Sequence, residues 1–274
     1  MTETKPVKTT IDAKDTVTIA VAAGKKIIEI YESADFGVDM KADNSPLTLA
    51  DLASHELIVA SLTKLTPDIP VLSEESKTIP YRERSQWPRF WLVDPLDGTK
   101  EFIKRNGEFT VNIALIEQGR PVLGVVHTPA LGVTYYATKG LGAFKVENGT
   151  AQPIKVQVDV SQNLNVVASR SHAGPETEAF LAALAKDYTV NLVSKGSALK
   201  LCLVAEGAAH LYPRLGPTME WDTAAAQCVA EEAGAIVTDT DGKVLAYNKE
   251  NLLNPFFVVN ASPTLQWKNY LVAV

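Results

Sequence analysis

Two aspartates three residues apart, at the end of an apolar run, are the residues of this chain best suited to chemistry. They lie in Trp91-Leu92-Val93-Asp94-Pro95-Leu96-Asp97-Gly98-Thr99. The run reads as a strand that ends in a carboxylate, with a proline to stop the ladder and a tight turn leading to the second carboxylate. Two carboxylates so placed can share or bridge hard divalent cations. Such ions take oxygen ligands, and Mg2+ keeps waters while accepting a few carboxylates and a substrate phosphate. Pro95 has no N–H to donate, so a neighbouring carbonyl such as that of Leu96 can face an ion. Gly98 and Thr99 are suited to start a helix whose free amides would point at a phosphate. Taken alone, Asp-x-x-Asp-Gly-Thr is also the composition of an ordinary turn. Two further acidic sites weigh against that reading. Ser73-Glu74-Glu75-Ser76 follows another strand-like run, and Trp221-Asp222-Thr223-Ala224-Ala225 puts an aspartate at a helix start. Together they support a multinuclear metal site with oxygen ligands.

The elements that must position these carboxylates follow from periodicity. Residues 11–33 carry Val17, Ala20, Val21, Gly24, Ile27, Ile28 and Tyr31 on one stripe and read as a helix. Residues 48–65 read as a second helix, with Thr48 as N-cap and Asp51 three residues later. Ile69 to Leu72 and Phe90 to Val93 read as short buried strands. From Phe109 to Val146 short β-rich runs alternate with glycine-containing turns, the pattern of an antiparallel meander, and Asn148-Gly149 is a further hairpin signal. The second half alternates: strand 164–169, helix 175–187, strand 189–193, helix 197–206 capped by Ser197, a strand near 209–212, helix 222–233 capped by Asp222, then strands at 235–238 and 256–260. The expected fold is a layered α/β sandwich. It divides into a meander lobe, residues 1–158, carrying most of the acidic groups, and an α/β lobe, residues 159–274, carrying Asp222.

Composition narrows the function. The chain has 274 residues, 46% of them hydrophobic and 21% charged, which suits a soluble globular protein. Its net charge of −6 argues against nucleic-acid binding, which needs a basic surface. With 2 cysteines, 4 histidines and no Cys-x-x-Cys, a Cys/His zinc site is not expected. Residues 1–10 are polar and carry no signal-peptide core, and no apolar run approaches the ~20 residues that cross a bilayer. A cytoplasmic protein is expected, with peripheral membrane association left open.

The acidic motifs resemble a known family. Asp94-Pro95-Leu96-Asp97-Gly98-Thr99 matches the Asp-Pro-(Ile/Leu)-Asp-Gly-Thr signature of the inositol monophosphatase superfamily. Trp221-Asp222-x-Ala224-Ala225 matches its C-terminal signature, and Glu74-Glu75 and Thr48-x-x-Asp51 match its upstream acidic motifs, all in the family's order. Within the superfamily the chain resembles the bacterial CysQ type of 3′(2′),5′-bisphosphate nucleotidase. Lys41 to Thr48, Asp97 to Arg105, Ser169-Arg170-Ser171-His172, Gly196-Ser197-Ala198-Leu199-Lys200 and Leu211 to Arg214 carry that likeness.

The resemblance implies alternating helix and sheet layers and a magnesium-dependent phosphomonoesterase. It implies one metal on Glu74, Asp94 and the Leu96 carbonyl, and a second on Asp94, Asp97 and Asp222. A third, weaker ion would lie beside Glu74, and Mn2+ is an alternative to Mg2+. The nucleophile would be a metal-activated water, oriented and deprotonated by Thr99 and Asp51. Substrate contacts would come from the metal ligands and from Gly98, Thr99, Ser169, His172, Gly196, Lys200 and Arg214. The implied reaction is removal of the 3′-phosphate of adenosine 3′,5′-bisphosphate to leave AMP, in the setting of sulfur metabolism, with lithium inhibition and a homodimer as further family traits. An inositol monophosphatase or broad sugar phosphatase would share the acidic motifs, which do not separate the two. A non-catalytic sensor of phosphonucleotide or metal is the alternative of another class.

Overall fold

In a computed structural model of the chain, residues 11–33, 37–40, 46–168 and 174–271 are described. Ser169 and His172 therefore lie outside the described residues.

The chain begins with α1 (Ala13–Tyr31), whose N-cap Asp12 accepts the amide of Lys14 at 2.9 Å. A short hairpin, β1 (Val38–Met40) and β2 (Pro46–Thr48), leads into α2 (Leu49–Leu65). Thr48 caps α2 in a reciprocal box with Asp51, as the Thr-x-x-Asp spacing predicts. Then come β3 (Val71–Ser73), the single turn α3 (Tyr81–Arg84), β4 (Arg89–Asp97) and the short helix α4 (Thr99–Ile103). The meander is β5 (Thr110–Glu117), β6 (Arg120–Thr128), β7 (Val133–Thr138), β8 (Gly142–Glu147) and β9 (Thr150–Ile154). With β3 and β4 it forms a seven-stranded sheet in sequence order, antiparallel except for the β3–β4 pair.

The second half holds β10 (Asn163–Ala168), α5 (Pro175–Leu184), β11 (Thr189–Ser194), α6 (Leu199–Ala205), β12 (Leu211–Arg214), α7 (Glu220–Glu232), β13 (Ile236–Asp239), β14 (Phe257–Asn260) and a 3-10 turn at Trp267–Tyr270. Its five strands run in the order β11-β10-β12-β14-β13, parallel through β12 and antiparallel beyond.

Three buried clusters define the layers. One joins α1 and α2 to one face of the large sheet through Ile27, Ile58, Trp91 and Ile113. A second fills the space between the sheets with α6 and α7, and holds both free cysteines, Cys202 and Cys228. The third packs α5 and the 3-10 turn on the outer face of the small sheet through Phe180, Leu184 and Trp267. The order is helices, sheet, helices, sheet, helices, in agreement with the layered α/β expectation. Among the described residues no helix is long and apolar enough to cross a membrane.

Four expected boundaries shift, each for a physical reason. Pro95 does not end β4. A bulge between Asp94 and Asp97 absorbs it, and the ladder resumes at Asp97 opposite Thr110. Helix 175–187 stops at Leu184, where Ala185 to Tyr188 turn back onto the last carbonyls. Ser197 does not cap α6, because its φ of +46° is left-handed and a capping residue needs an extended one. Asp222 does not cap α7 either. The extended cap is Met219, and Asp222 sits one turn in, accepting the Met219 amide at 2.8 Å.

Candidate active site

The carboxylates predicted from sequence come together. Glu74 follows β3, Asp94 lies on β4, and Asp222 lies in the first turn of α7. Their carboxylate oxygens fall within 4.8 Å of one another. Asp97 stands at the edge of this group, with Thr110 Oγ1 and Asn112 Nδ2 each 3.4 Å from its Oδ2. The β4 bulge makes the arrangement possible. It turns Asp97 away from the strict alternation of the strand, while the amide of Leu96 bonds back to Asp94 Oδ1 at 3.0 Å. The carbonyl of Pro95 is held by the buried hydroxyl of Ser54 at 2.7 Å, which fixes the loop against α2.

The group is electrostatically crowded. Asp94 is 1% exposed, and desolvation first, then Glu74, Asp97, Asp222 and Asp51, push its carboxyl well above the ordinary range. Desolvation and Asp97 do the same to Asp222, against the pull of the Met219 amide. Asp97 is raised by desolvation to about 6, held down by the Lys200 cation and the Asn112 hydrogen bond. Hard oxygen donors forced together in this way suit a hard divalent cation, which would cancel their repulsion. The donor set therefore fits Mg2+.

Beside the carboxylates lie Asp51 and Thr99, the two catalytic candidates that the family resemblance implies. Asp51 is 1% exposed, and its Oδ2 accepts the Thr48 amide at 2.8 Å and the Thr48 hydroxyl at 2.5 Å. Its Oδ1 accepts the Thr99 hydroxyl at 3.3 Å. Thr99 opens α4 directly after Gly98, whose φ of +92° is left-handed and so suits glycine.

Glu74, Asp94, Asp97, Asp222 and Thr99 line a cleft of about 270 Å³, while Asp51 lies behind Thr99 and does not line it. The facing wall belongs to the second half of the chain, with Ser197, Lys200, Tyr212 and Arg214. Lys200 is 8% exposed, and burial pushes its ammonium down to about 8, with Asp97 as the main opposing influence. Arg214 is braced by donating to the carbonyl of Pro217 at 2.7 Å. Leu96, Gly98 and Thr99 also line the cleft, whereas Gly196 does not. The Gly196 amide instead donates to the Glu108 carboxylate at 2.9 Å.

Sequence reasoning read Ser197 as a helix cap and left it out of the expected substrate contacts. It reaches the cleft, and its Oγ is buried with no hydrogen-bond partner among the described residues. Its signal was its place in the Gly196-Ser197-Ala198-Leu199-Lys200 segment that carries the family likeness. Glu108 was missed as well, since an isolated Gly-Glu-Phe carries no motif.

Comparison with known proteins agrees with this geometry. The sequence profile of the inositol monophosphatase family matches residues 10–270. The chain is 54% identical over 243 residues to the 3′(2′),5′-bisphosphate nucleotidase CysQ of Salmonella typhimurium, covering 88% of this chain and 96% of that protein. Among solved structures, CysQ from Bacteroides thetaiotaomicron has a TM-score of 0.80 at 48% identity, over 91% of this chain and 96% of that one. The IMPase of Thermotoga maritima has a TM-score of 0.79 at 26% identity, over 94% and 95%.

Proposed function

The chain belongs to the inositol monophosphatase family, and from that premise we propose that it is a 3′(2′),5′-bisphosphate nucleotidase. In this reading it is a magnesium-dependent phosphomonoesterase that takes the 3′-phosphate from adenosine 3′,5′-bisphosphate and leaves AMP. The observation that carries the substrate choice is 54% identity to a nucleotidase of that name across 88% of the chain. The cleft is consistent with it. A carboxylate pole suits a metal-bound phosphate, and a cationic pole of Lys200 and Arg214 suits a second anionic group on the same substrate.

Glu74, Asp94, the Leu96 carbonyl, Asp97 and Asp222 would hold two to three Mg2+ ions. When bound, these supply neutralisation of the phosphate charge and a water of lowered pKa. The chain's own part is proton handling and orientation. Thr99 donates its hydroxyl hydrogen toward Asp51 Oδ1, which leaves the Thr99 oxygen as an acceptor for a hydrogen of the attacking water. As that oxygen bonds to phosphorus, its proton passes to Thr99 and the Thr99 proton to Asp51, while the bond from phosphorus to the 3′-oxygen breaks; a solvent water gives that oxygen the proton of the 3′-hydroxyl, and Asp51 returns its own proton to solvent. Asp51 can take the proton at one oxygen because Thr48 holds the other. Lys200 and Arg214 orient the nucleotide, and Ser169 and His172 are proposed to contact it as well. A cytoplasmic location and a role in clearing the by-product of sulfur assimilation go with this reading.

The test is phosphate release by metal-stripped protein given back Mg2+. Adenosine 3′,5′-bisphosphate, AMP and inositol 1-phosphate are compared under matched conditions. The expected result is a kcat/KM for the bisphosphate at least tenfold above the others, about 1.4 kcal/mol of discrimination. Faster release from inositol phosphate would overturn the nucleotide assignment and leave the metal chemistry standing. No release from any of the three would favour a binding protein.

A further inference from the structure

Glu108 lies between α4 and β5, on the carboxylate side of the cleft, and is 8% exposed. Its carboxylate reaches across to the segment that precedes α6. One oxygen accepts the Gly196 amide at 2.9 Å, and the other lies 3.3 Å from the Lys195 ammonium. The two backbones also touch. A Cβ on Gly196 would lie 2.6 Å from the Glu108 carbonyl oxygen and 2.8 Å from Glu101 Cγ. A Cβ on Gly98 would lie 3.3 Å from the same carbonyl and from Ser197 Cβ. The metal-binding turn and the loop at 195–197 are thus seated on each other, with Glu108 bonded to both the backbone and the side chain of the loop.

The residue after this anchor is Ser197, which lines the cleft at a φ of +46° and has a buried, unpartnered hydroxyl. A left-handed non-glycine conformation persists only where its surroundings impose it. Among the contacts that fix the segment just before it is the bond from the Gly196 amide to Glu108. Three residues further on, Lys200 enters the cleft from the first turn of α6. The pose of Ser197 and Lys200 relative to the carboxylates therefore depends on Glu108.

We propose that Glu108 is a positioning residue for substrate selection, clamping the Lys195–Ser197 loop so that Ser197 and Lys200 meet the part of the substrate beyond the scissile phosphate. This rests on the nucleotidase reading above. Glu108 does not touch the substrate; it acts through the loop. It governs how tightly a nucleotide is held and leaves the reacting phosphate and the Asp51–Thr99 pair unaffected.

The test uses Glu108→Ala and Glu108→Gln in the full chain with Mg2+. For adenosine 3′,5′-bisphosphate, Glu108→Ala should raise KM about tenfold, equivalent to about 1.4 kcal/mol, with kcat within threefold. Inhibition by inorganic phosphate, which fills only the scissile position, should keep its inhibition constant within twofold. Glu108→Gln keeps an acceptor for the Gly196 amide and loses the ion pair, so it should recover most of the affinity. An unchanged KM in Glu108→Ala would overturn the proposal, as would parallel losses in kcat and in phosphate inhibition. If Glu108→Ala does not fold, Glu108→Asp decides, because its shorter side chain withdraws the carboxylate from the Gly196 amide: a KM shift without a fall in Tm supports the clamp, and no shift overturns it. The wild-type arm is independent. A wild-type enzyme that binds phosphate but releases none from the bisphosphate overturns the nucleotidase reading itself, and this one with it.

Discussion

The two carboxylate oxygens of Asp51 hold unlike partners. Oδ2 closes the capping box with Thr48, and Oδ1 faces the Thr99 hydroxyl. A side chain pinned at one oxygen cannot rotate the other away from Thr99, so the helix cap sets the aim of the proposed base. The two roles come apart in Asp51→Asn. The amide oxygen can keep the Thr48 bonds, but the nitrogen that replaces Oδ1 donates hydrogen and cannot take a proton. The expected outcome is a Tm within a few degrees of wild type and a kcat lowered by about 100-fold or more. Thr99→Ala should cause a similar loss. The double variant should be little worse than either single one, because both act on one proton path. Multiplying losses would show that Asp51 and Thr99 act independently.

At the scale of elements, α7 reaches the site because β6 lets it. A Cβ on Gly124 would lie 2.2 Å from the Ala225 carbonyl oxygen and 2.8 Å from Cys228 Cβ, so glycine alone permits this approach of helix to sheet. Gly124→Ala must push backbone rather than a flexible side-chain end. Its expected cost is about 1–3 kcal/mol. Asp222 lies one turn before Ala225, so the same shift should draw it from Glu74 and Asp94 and weaken Mg2+ binding. Thermal unfolding across a magnesium titration reads both effects, and lost stability with an unchanged magnesium midpoint would detach α7 packing from the site. None of this is written in Val122-Leu123-Gly124-Val125, where the glycine reads as a weak point in a strand. What sequence does show at this scale is what local rules govern. The stripe of α1 and the Thr48–Asp51 box of α2 depend on residues three or four apart. The bulge at Pro95 and the left-handed Ser197 depend on partners far along the chain, on β5 and at Glu108. The acidic cluster was legible because its chemistry is carried by residue type. The burial of Lys200 was not, because the charge that tolerates it, Asp97, belongs to another layer.

The whole molecule stacks five layers so that carboxylates from β3, β4 and α7 meet in one cleft, and this gives it two opposed responses to acid. His127 on β6 is 6% exposed and packs against Gly24 of α1, where burial lowers its pKa to about 4. That value lies below the 6.5 of the unfolded chain, so the unfolded state takes the proton first. The stability involved is intact above pH 6.5 and lost as pH falls through 4, about 3 kcal/mol in all at 1.36 kcal/mol per unit. Asp94, Asp97 and Asp222 run the other way. Their folded pKa values are raised, that of Asp97 to about 6, so the folded state takes protons first. Without metal, that stability is present below 3.8 and lost as pH rises through 6 and beyond. Mg2+ competes for the same oxygens as the protons, so its stabilising effect must grow with pH. At a hundredfold excess over Kd it should add about 2.7 kcal/mol to unfolding at pH 7.5, and much less at pH 5. His127 lies on the α1 side of the large sheet, away from the cleft, so its contribution cancels in the difference with and without Mg2+. His127→Asn should flatten the acid-side slope of the metal-free protein between pH 6.5 and 4 while leaving the magnesium difference intact. Denaturant unfolding at pH 5, 6 and 7.5 separates the two. A magnesium gain that is flat across this range would mean that the cation displaces no protons from Asp94, Asp97 and Asp222, and that the crowding of these carboxylates is relieved in some other way.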